Sequence, residues 1–192
     1  MSFSAVILAG GRSSRMGRDK AFLEFRGELL LALQIALVRD IGASEVFISG
    51  CPEVDYSAFH GPVLLDESSN LGPIAGITAA LKMIHCPLLL VLAVDMPYIT
   101  AVFLKQILSE CHDGMGAVPI SGEFIEPLAA FYPKSASSLA HQLMVEASPS
   151  ATPGPRDFAK RCVESGLARF FTLQPHQIDF FKSLNSPADL SS

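Results

Sequence analysis

Residues 8–20 read Leu-Ala-Gly-Gly-Arg-Ser-Ser-Arg-Met-Gly-Arg-Asp-Lys and follow the apolar run Ala5-Val6-Ile7-Leu8. A buried strand that breaks into glycines and then into cations is a device for holding phosphates. Gly10, Gly11 and Gly17 let the backbone turn tightly and bring its N–H groups up to an anion. Arg12, Arg15 and Lys20 add full positive charge beside those dipoles. The string is not a P-loop, because no Gly-Lys-Ser/Thr closes it, and it lacks the Gly-x-Gly-x-x-Gly spacing of the dinucleotide fingerprint. An ordinary strand–turn with solvated arginines is the competing reading, and the density of specified residue types weighs against it. A second chemical feature lies much later. Residues 88–94 are unbroken apolar residues that end on Asp95, followed by Met96-Pro97. A carboxylate at the end of such a run is expensive unless it is paired or metal-bound. Mg²⁺ with triphosphate oxygens is a natural partner, and simple capping of the next segment is the alternative. Pro97 stiffens the turn that holds the carboxylate.

The first string resembles the signature of nucleotidyltransferases built on a Rossmann-like α/β domain, and most closely that of the molybdenum cofactor guanylyltransferase (MobA-like) family. That family carries Leu-Ala-Gly-Gly at the start of the loop and Asp-Lys at its end, matched here by Leu8 to Gly11 and Asp19-Lys20. Gly72-Pro73-Ile74-Ala75-Gly76 resembles its Gly-Pro-Leu-Ala-Gly segment, and Val94-Asp95-Met96-Pro97-Tyr98-Ile99 its Asp-x-Pro-Tyr-Ile segment. Glu126-Pro127-Leu128 and Leu184-Asn185-Ser186-Pro187-Ala188-Asp189-Leu190 are similar to later motifs. The blocks follow in family order along nearly the whole chain.

The resemblance implies roles for particular residues. Asp95 would bind Mg²⁺, with Asn185 as a second metal ligand, although the same Leu-Asn-Ser-Pro string also reads as the turn before a last helix. Lys20 would contact the nucleotide phosphates, and the backbone at Leu8, Ala9 and Gly10, with Gly11 beside it, the nucleotide. Arg15 would hold the β- or γ-phosphate, against the reading of a surface arginine. Asp66 would lie on the nucleotide side, against the reading of a turn aspartate. Ser49 stands where the family often has Asn; it keeps one donor with a shorter reach. Ser183 replaces a frequent second Asn, and Leu29 a usual Pro.

The activity implied is transfer of GMP from GTP to the terminal phosphate of molybdenum-bearing molybdopterin, giving molybdopterin guanine dinucleotide and pyrophosphate in the cytoplasm. The acceptor phosphate attacks the α-phosphorus directly, so the chemistry calls for in-line positioning, Mg²⁺ and cations rather than a covalent nucleophile. Transient docking to cofactor-handling proteins or apo-molybdoenzymes is implied as well. A cytidylyltransferase acting on molybdopterin or another phosphorylated acceptor is the nearest alternative; such relatives usually have Ala where this chain has Gly10. A non-catalytic nucleotide-binding relative is the alternative of another class, and it would be marked by loss of Asp95 or Lys20, both of which are present.

Elements that position these residues alternate along the chain. Residues 5–8, 46–49, 63–65 and 88–94 read as short buried strands, and 29–40 and 74–84 have helical apolar spacing. Thr100 is placed to cap a helix reaching about Cys111. Strands at 116–119 and 127–132, helices at 137–146 and 157–165, a strand at 168–173 and a helical turn opened by Ser186-Pro187 follow. The stretch 148–155, rich in Ser and Pro, reads as a loop, a connector by preference with a mobile lid as the alternative. Such alternation predicts right-handed βαβ units, a mostly parallel central sheet and a three-layer α/β fold. Gly10, Ser49, Asp66 and Asp95 each follow a strand and should share one sheet edge.

The 192 residues suit one domain, its N-terminal part binding nucleotide and its C-terminal part the acceptor. With 49% apolar and 17% charged residues the chain is a packed globular protein. Its net charge of −5 argues against non-specific nucleic-acid binding. No apolar run approaches the ~18 residues of a membrane helix, and no basic leader precedes the first strand. The mean hydropathy of +0.38 fits a parallel sheet covered on both faces. Cys51, Cys86, Cys111 and Cys162 lack zinc spacing and read as thiols in a reducing compartment. His60, His85, His112, His141 and His176 sit in no motif and read as solvated or structural.

Overall fold

A computed structural model describes residues 1–10, 19–65, 72–112, 114–147 and 153–184. The chain begins with β1 (Phe3–Leu8), a hairpin of β2 (Glu24–Phe25) and β3 (Glu28–Leu29), α1 (Leu30–Asp40), β4 (Glu45–Gly50) and β5 (Val63–Leu65). It continues through α2 (Pro73–Met83), β6 (Leu88–Ala93), α3 (Ala101–Ser109), β7 (Gly116–Ser121), β8 (Phe124–Ile125) and β9 (Ala129–Pro133). It closes with α4 (Ser137–Glu146), α5 (Pro155–Glu164), β10 (Ala168–Thr172) and a 3₁₀ segment at Pro175–Phe181.

The main sheet has the order β10-β7-β9-β6-β1-β4-β5, with β8 paired to β7 off this path. β1 lies between β4 and β6 and is parallel to both, Leu8 facing Ser49 on one side and Ala93 on the other. β9 alone on the main path runs against its neighbours. Every residue of β1 and β6 is buried, which is why these strands read as continuous apolar runs. One face is covered by α1 and α3, where Ile35, Val38, Phe103 and Ile107 pack under Ala5, Ile7 and Leu90. The other is covered by α2, α4 and α5, where Ile77, Leu81, Leu143 and Phe158 pack on Val6, Leu89 and Val91. The fold is the expected three-layer α/β arrangement around a mostly parallel sheet.

The chain passes from β1 to β4 on one face through α1, then back across β1 to β6 on the other face through α2. Strand order therefore reverses at β1, and the crevice at the carboxyl ends of β1, β4 and β6 is where such folds bind ligands.

Strands and helices fall within two residues of the expected ranges. Thr100 caps α3 as anticipated, accepting from the Phe103 N–H. The hairpin at residues 24–29 was not legible: its turn uses Arg26 and Gly27 at φ 54° and 86°, and a non-glycine residue there carries no composition signal. The helical turn expected at Ser186 and most of the 148–155 stretch lie outside the described residues.

Candidate active site

Asp95 is presented where β6 ends, and its backbone is tied down from four directions. Ala93 N–H donates to the Leu128 carbonyl at 2.8 Å and Val94 N–H to Leu8 at 3.2 Å. Leu184 N–H donates to the carbonyl of Asp95 itself at 3.0 Å, so the chain next to Asn185 returns to this turn. From α1, the buried Gln34 donates its Nε2 to the Met96 carbonyl at 2.9 Å. A carboxylate mounted on so constrained a turn has little freedom to relax.

Lys20 approaches from the other side. It opens a three-residue 3₁₀ turn, Lys20–Phe22, whose N-cap is Asp19, with Oδ1 accepting from the Ala21 N–H at 2.9 Å. From this turn Lys20 Nζ reaches Asp95 Oδ2 at 2.7 Å, the side chains being 23% and 20% exposed. A cation suited to phosphate and a carboxylate suited to a metal thus meet at one point, partly open to solvent.

The strand ends complete the edge. Ala9 and Gly10 both donate their N–H groups to the Ser49 carbonyl, at 2.8 and 2.9 Å. Those two donors are engaged between β1 and β4. The Ser49 side chain is 5% exposed, and its Oγ would lie 2.2 Å from a Cβ at Gly76, so it faces α2. Gly76 is therefore small because α2 must cross β4 closely. At Gly10 a Cβ would sit 3.4 Å from the Gly50 backbone. α2 starts beside the site, with Pro73 in the lining of the cleft at Asp95; Gly72 before it adopts φ 58° and offers no side-chain cap.

Beyond Asp95 the surface opens into a cleft of about 670 Å³. Its lining includes Asp95, Glu126, Pro127, Leu128, Arg156 and Lys160. Arg156 and Lys160 are four residues apart on the first turns of α5, hence on one face. That helix start is fixed by Asp157, whose Oδ2 accepts from the Gly154 N–H at 2.8 Å. The Arg156 guanidinium lies over the Phe124 ring, 5.5 Å from its centroid. Glu126 is 7% exposed. Burial raises its carboxyl above the ordinary range, opposed by the Leu128 N–H and by Arg156 and reinforced by Asp95.

Of the residues singled out in the sequence, Leu8, Ala9, Gly10, Ser49, Lys20 and Asp95 lie along one sheet edge, with Lys20 and Asp95 in contact. Gly11, Arg15, Asp66 and Asn185 lie outside the described residues. Among the described residues no group of three or more His, Cys, Asp or Glu is placed to hold a metal. Mg²⁺ in nucleotide sites needs no such cluster, because one or two carboxylates and the substrate phosphates suffice, and Asp95 fits that requirement. Arg156 and Lys160 went unremarked in the sequence; the signal available was two cations at i, i+4 directly after Pro153-Gly154-Pro155. His85 is structural, its ring against Glu45 at 2.7 Å.

The family described as the MobA-like NTP transferase domain matches residues 5–162. A probable molybdenum cofactor guanylyltransferase of Opitutus terrae is 40% identical over 144 residues, 73% of this chain and 71% of that protein. Another probable molybdenum cofactor guanylyltransferase, from Natranaerobius thermophilus, is 30% identical over 200 residues, covering 97% of this chain and 92% of the relative. The crystal structure of molybdopterin-guanine dinucleotide biosynthesis protein A from Archaeoglobus fulgidus superposes with a TM-score of 0.75 at 21% identity, over 98% of this chain and 95% of that one.

Proposed function

The chain belongs to the MobA-like NTP transferase family, and from that membership we propose that it transfers GMP from GTP to molybdenum-bearing molybdopterin, releasing pyrophosphate. The observation that carries this reading is the Lys20–Asp95 pair, 2.7 Å apart, between a nucleotide-type sheet edge and a cleft edged by two cations. Residues 1–192 act in this reading as one domain, with the ends of β1, β4 and β6 binding the nucleotide and the 124–160 region receiving the acceptor.

In this reading Lys20 and Arg15 hold the triphosphate, and Asp66 and the strand ends at Leu8 to Gly11 and Ser49 contact the nucleoside side. Arg156 and Lys160 neutralise the acceptor phosphate, which the triphosphate would otherwise repel. With both substrates aligned, an acceptor phosphate oxygen forms a bond to the α-phosphorus as the α–β bridging bond breaks and pyrophosphate departs. Asp95, joined by Asn185, would hold Mg²⁺, which supplies charge neutralisation on the triphosphate. The rigid mounting of Asp95 and Lys20 keeps both groups oriented before the reaction, when alignment matters most. Cytoplasmic location, suited to four free thiols, and hand-off of the product to cofactor-handling proteins or apo-molybdoenzymes belong to the same proposal.

The test is incubation with each of the four NTPs, Mg²⁺ and molybdenum-loaded molybdopterin, following pyrophosphate. Release with GTP that depends on the acceptor is expected. Release with CTP in preference to GTP makes the protein a cytidylyltransferase, and no release with any nucleotide excludes the transferase reading.

A further inference from the structure

Tyr56 is a buried polar side chain to which the mechanism above gives no role. It is 2% exposed and lies in the chain that leaves β4. Its hydroxyl donates to Asp19 Oδ2 at 2.8 Å and accepts from the Cys51 N–H at 3.2 Å. Both hydrogen-bonding capacities of the phenol along this line are thereby used. Burial, with the Asp19 carboxylate adding to it, holds the phenol firmly protonated, as a donor must be. Asp19 in turn caps the short turn that carries Lys20. A second contact runs parallel to the hydrogen bond: the Phe22 ring of the same turn stacks on Tyr56 at 6.1 Å and 25°, and meets Phe59 edge-on at 5.5 Å. Gly50 makes room for the arrangement, since a Cβ there would fall 2.2 Å from the Tyr56 ring.

The turn Lys20–Phe22 is held to the core by the fully buried Ala21, but it has few hydrogen bonds of its own. A 3₁₀ turn of this length brings few internal bonds, here Phe22 N–H to Asp19 at 3.1 Å and Leu23 N–H to Lys20 at 3.2 Å. We propose that Tyr56 is a positioning residue of the transferase: its hydroxyl latches the Lys20 turn to the chain leaving β4 and so fixes where the lysine meets the nucleotide phosphates. The proposal rests on the reading of Lys20 as a phosphate ligand. It makes a specific claim, that the worth of the Tyr56 hydroxyl is expressed through Lys20 and is felt by phosphates rather than by the base.

The experiment is a double-mutant cycle read by calorimetry, with GTP, CTP, guanosine and inorganic triphosphate as probes in the presence of Mg²⁺. Tyr56→Phe should weaken GTP and inorganic triphosphate by about tenfold, the scale of one hydrogen bond to a charged group, while guanosine changes by less than about twofold. In the Lys20→Ala background the same substitution should alter triphosphate affinity by less than about twofold, because the group it positions is gone. Asp19→Asn leaves the Tyr56 ring in place and can keep its one amide oxygen on the Ala21 N–H, which turns an NH2 donor instead of a carboxylate toward the Tyr56 hydroxyl, and it should give the same selective loss if Tyr56→Phe does not fold. Equal weakening of guanosine and triphosphate, or a Tyr56→Phe effect that is the same with and without Lys20, overturns the latch. Wild-type protein that binds GTP no better than CTP overturns the guanine reading, and the triphosphate cycle then still decides the latch. Wild-type protein that binds no triphosphate overturns both.

Discussion

Asp95 and Lys20 stand out in the sequence because each has a context with few alternative explanations: a carboxylate that ends a run of seven apolar residues, and a lysine that closes a glycine-rich string. Their contact makes the first consequence sharp. Asp95→Asn keeps size and one acceptor but removes the charge, so turnover should fall by ~10² or more, the scale of losing one preorganised electrostatic contact. The pair is partly exposed, so thermal stability should hardly move. Initial rates across a Mg²⁺ titration, with a melting curve alongside, check this; wild-type turnover at limiting Mg²⁺ removes Asp95 from the metal site. Gly10 bears on base choice. A methyl there would lie 3.4 Å from the Gly50 backbone, which the fold accommodates, but it narrows the edge where the base is proposed to lie. Gly10→Ala should shift the GTP-to-CTP ratio toward CTP, about tenfold for each ~1.4 kcal/mol. Competition kinetics with both nucleotides in one tube measures it. An unchanged ratio puts specificity elsewhere. Tyr56 and Arg156, by contrast, were not legible. A tyrosine six residues beyond a strand has no periodicity to flag it, and its role appears only when the 51–56 chain folds back onto Asp19.

Among the elements, the parallel strands and their crossover helices were the most readable part of the chain, since burial on both faces leaves a long apolar signature. Close approaches were not, because nothing local distinguishes a glycine that a helix crossing requires from one that merely ends a turn. Gly76 shows the difference. A Cβ at that position would fall 2.2 Å from Ser49 Oγ and 3.0 Å from both Ser49 Cβ and Leu8 Cδ2. Gly76→Ala should therefore push α2 off the β1–β4 edge and cost ~1–3 kcal/mol, as overpacked cores do. Removing the worse contact with Ser49→Ala should restore part of that loss, so that the two substitutions together cost less than their sum. Urea unfolding of the two single variants and the double variant measures the coupling. Strict additivity would mean that α2 does not rest on Ser49.

Across the whole molecule, an acid-sensitive contact lies at the end of the sheet opposite the candidate site. At the end remote from Asp95, Glu45 accepts from the Ser4 hydroxyl at 2.5 Å, the His85 N–H at 3.0 Å and the His85 ring at 2.7 Å. These bonds, the Ser4 hydroxyl foremost and the His85 N–H next, lower its carboxyl from 4.5 to about 2. A carboxyl depressed by folding contributes stability that is fully present above its unfolded value and disappears as pH falls toward the folded one. Denaturation midpoints should thus drop between about pH 4.5 and 2, and Glu45→Gln should flatten that drop while leaving GTP affinity untouched. A variant with the wild-type pH slope would remove Glu45 from acid stability. The sheet order carries one more consequence, for the time when the chain is being made. Domains form from the N-terminal side during synthesis, and β6 emerges before the strand that covers its outer flank, since β9 is inserted between β6 and β7. Until residues 129–133 arrive, six apolar residues of β6 present a bare row of N–H and C=O groups, the kind of edge on which other chains pair. A nascent chain halted in that interval leaves this apolar edge unpaired, a template for aggregation. The arrival of β9 pairs that edge just after Glu126, Pro127 and Leu128, which line the cleft beside Asp95, have been made.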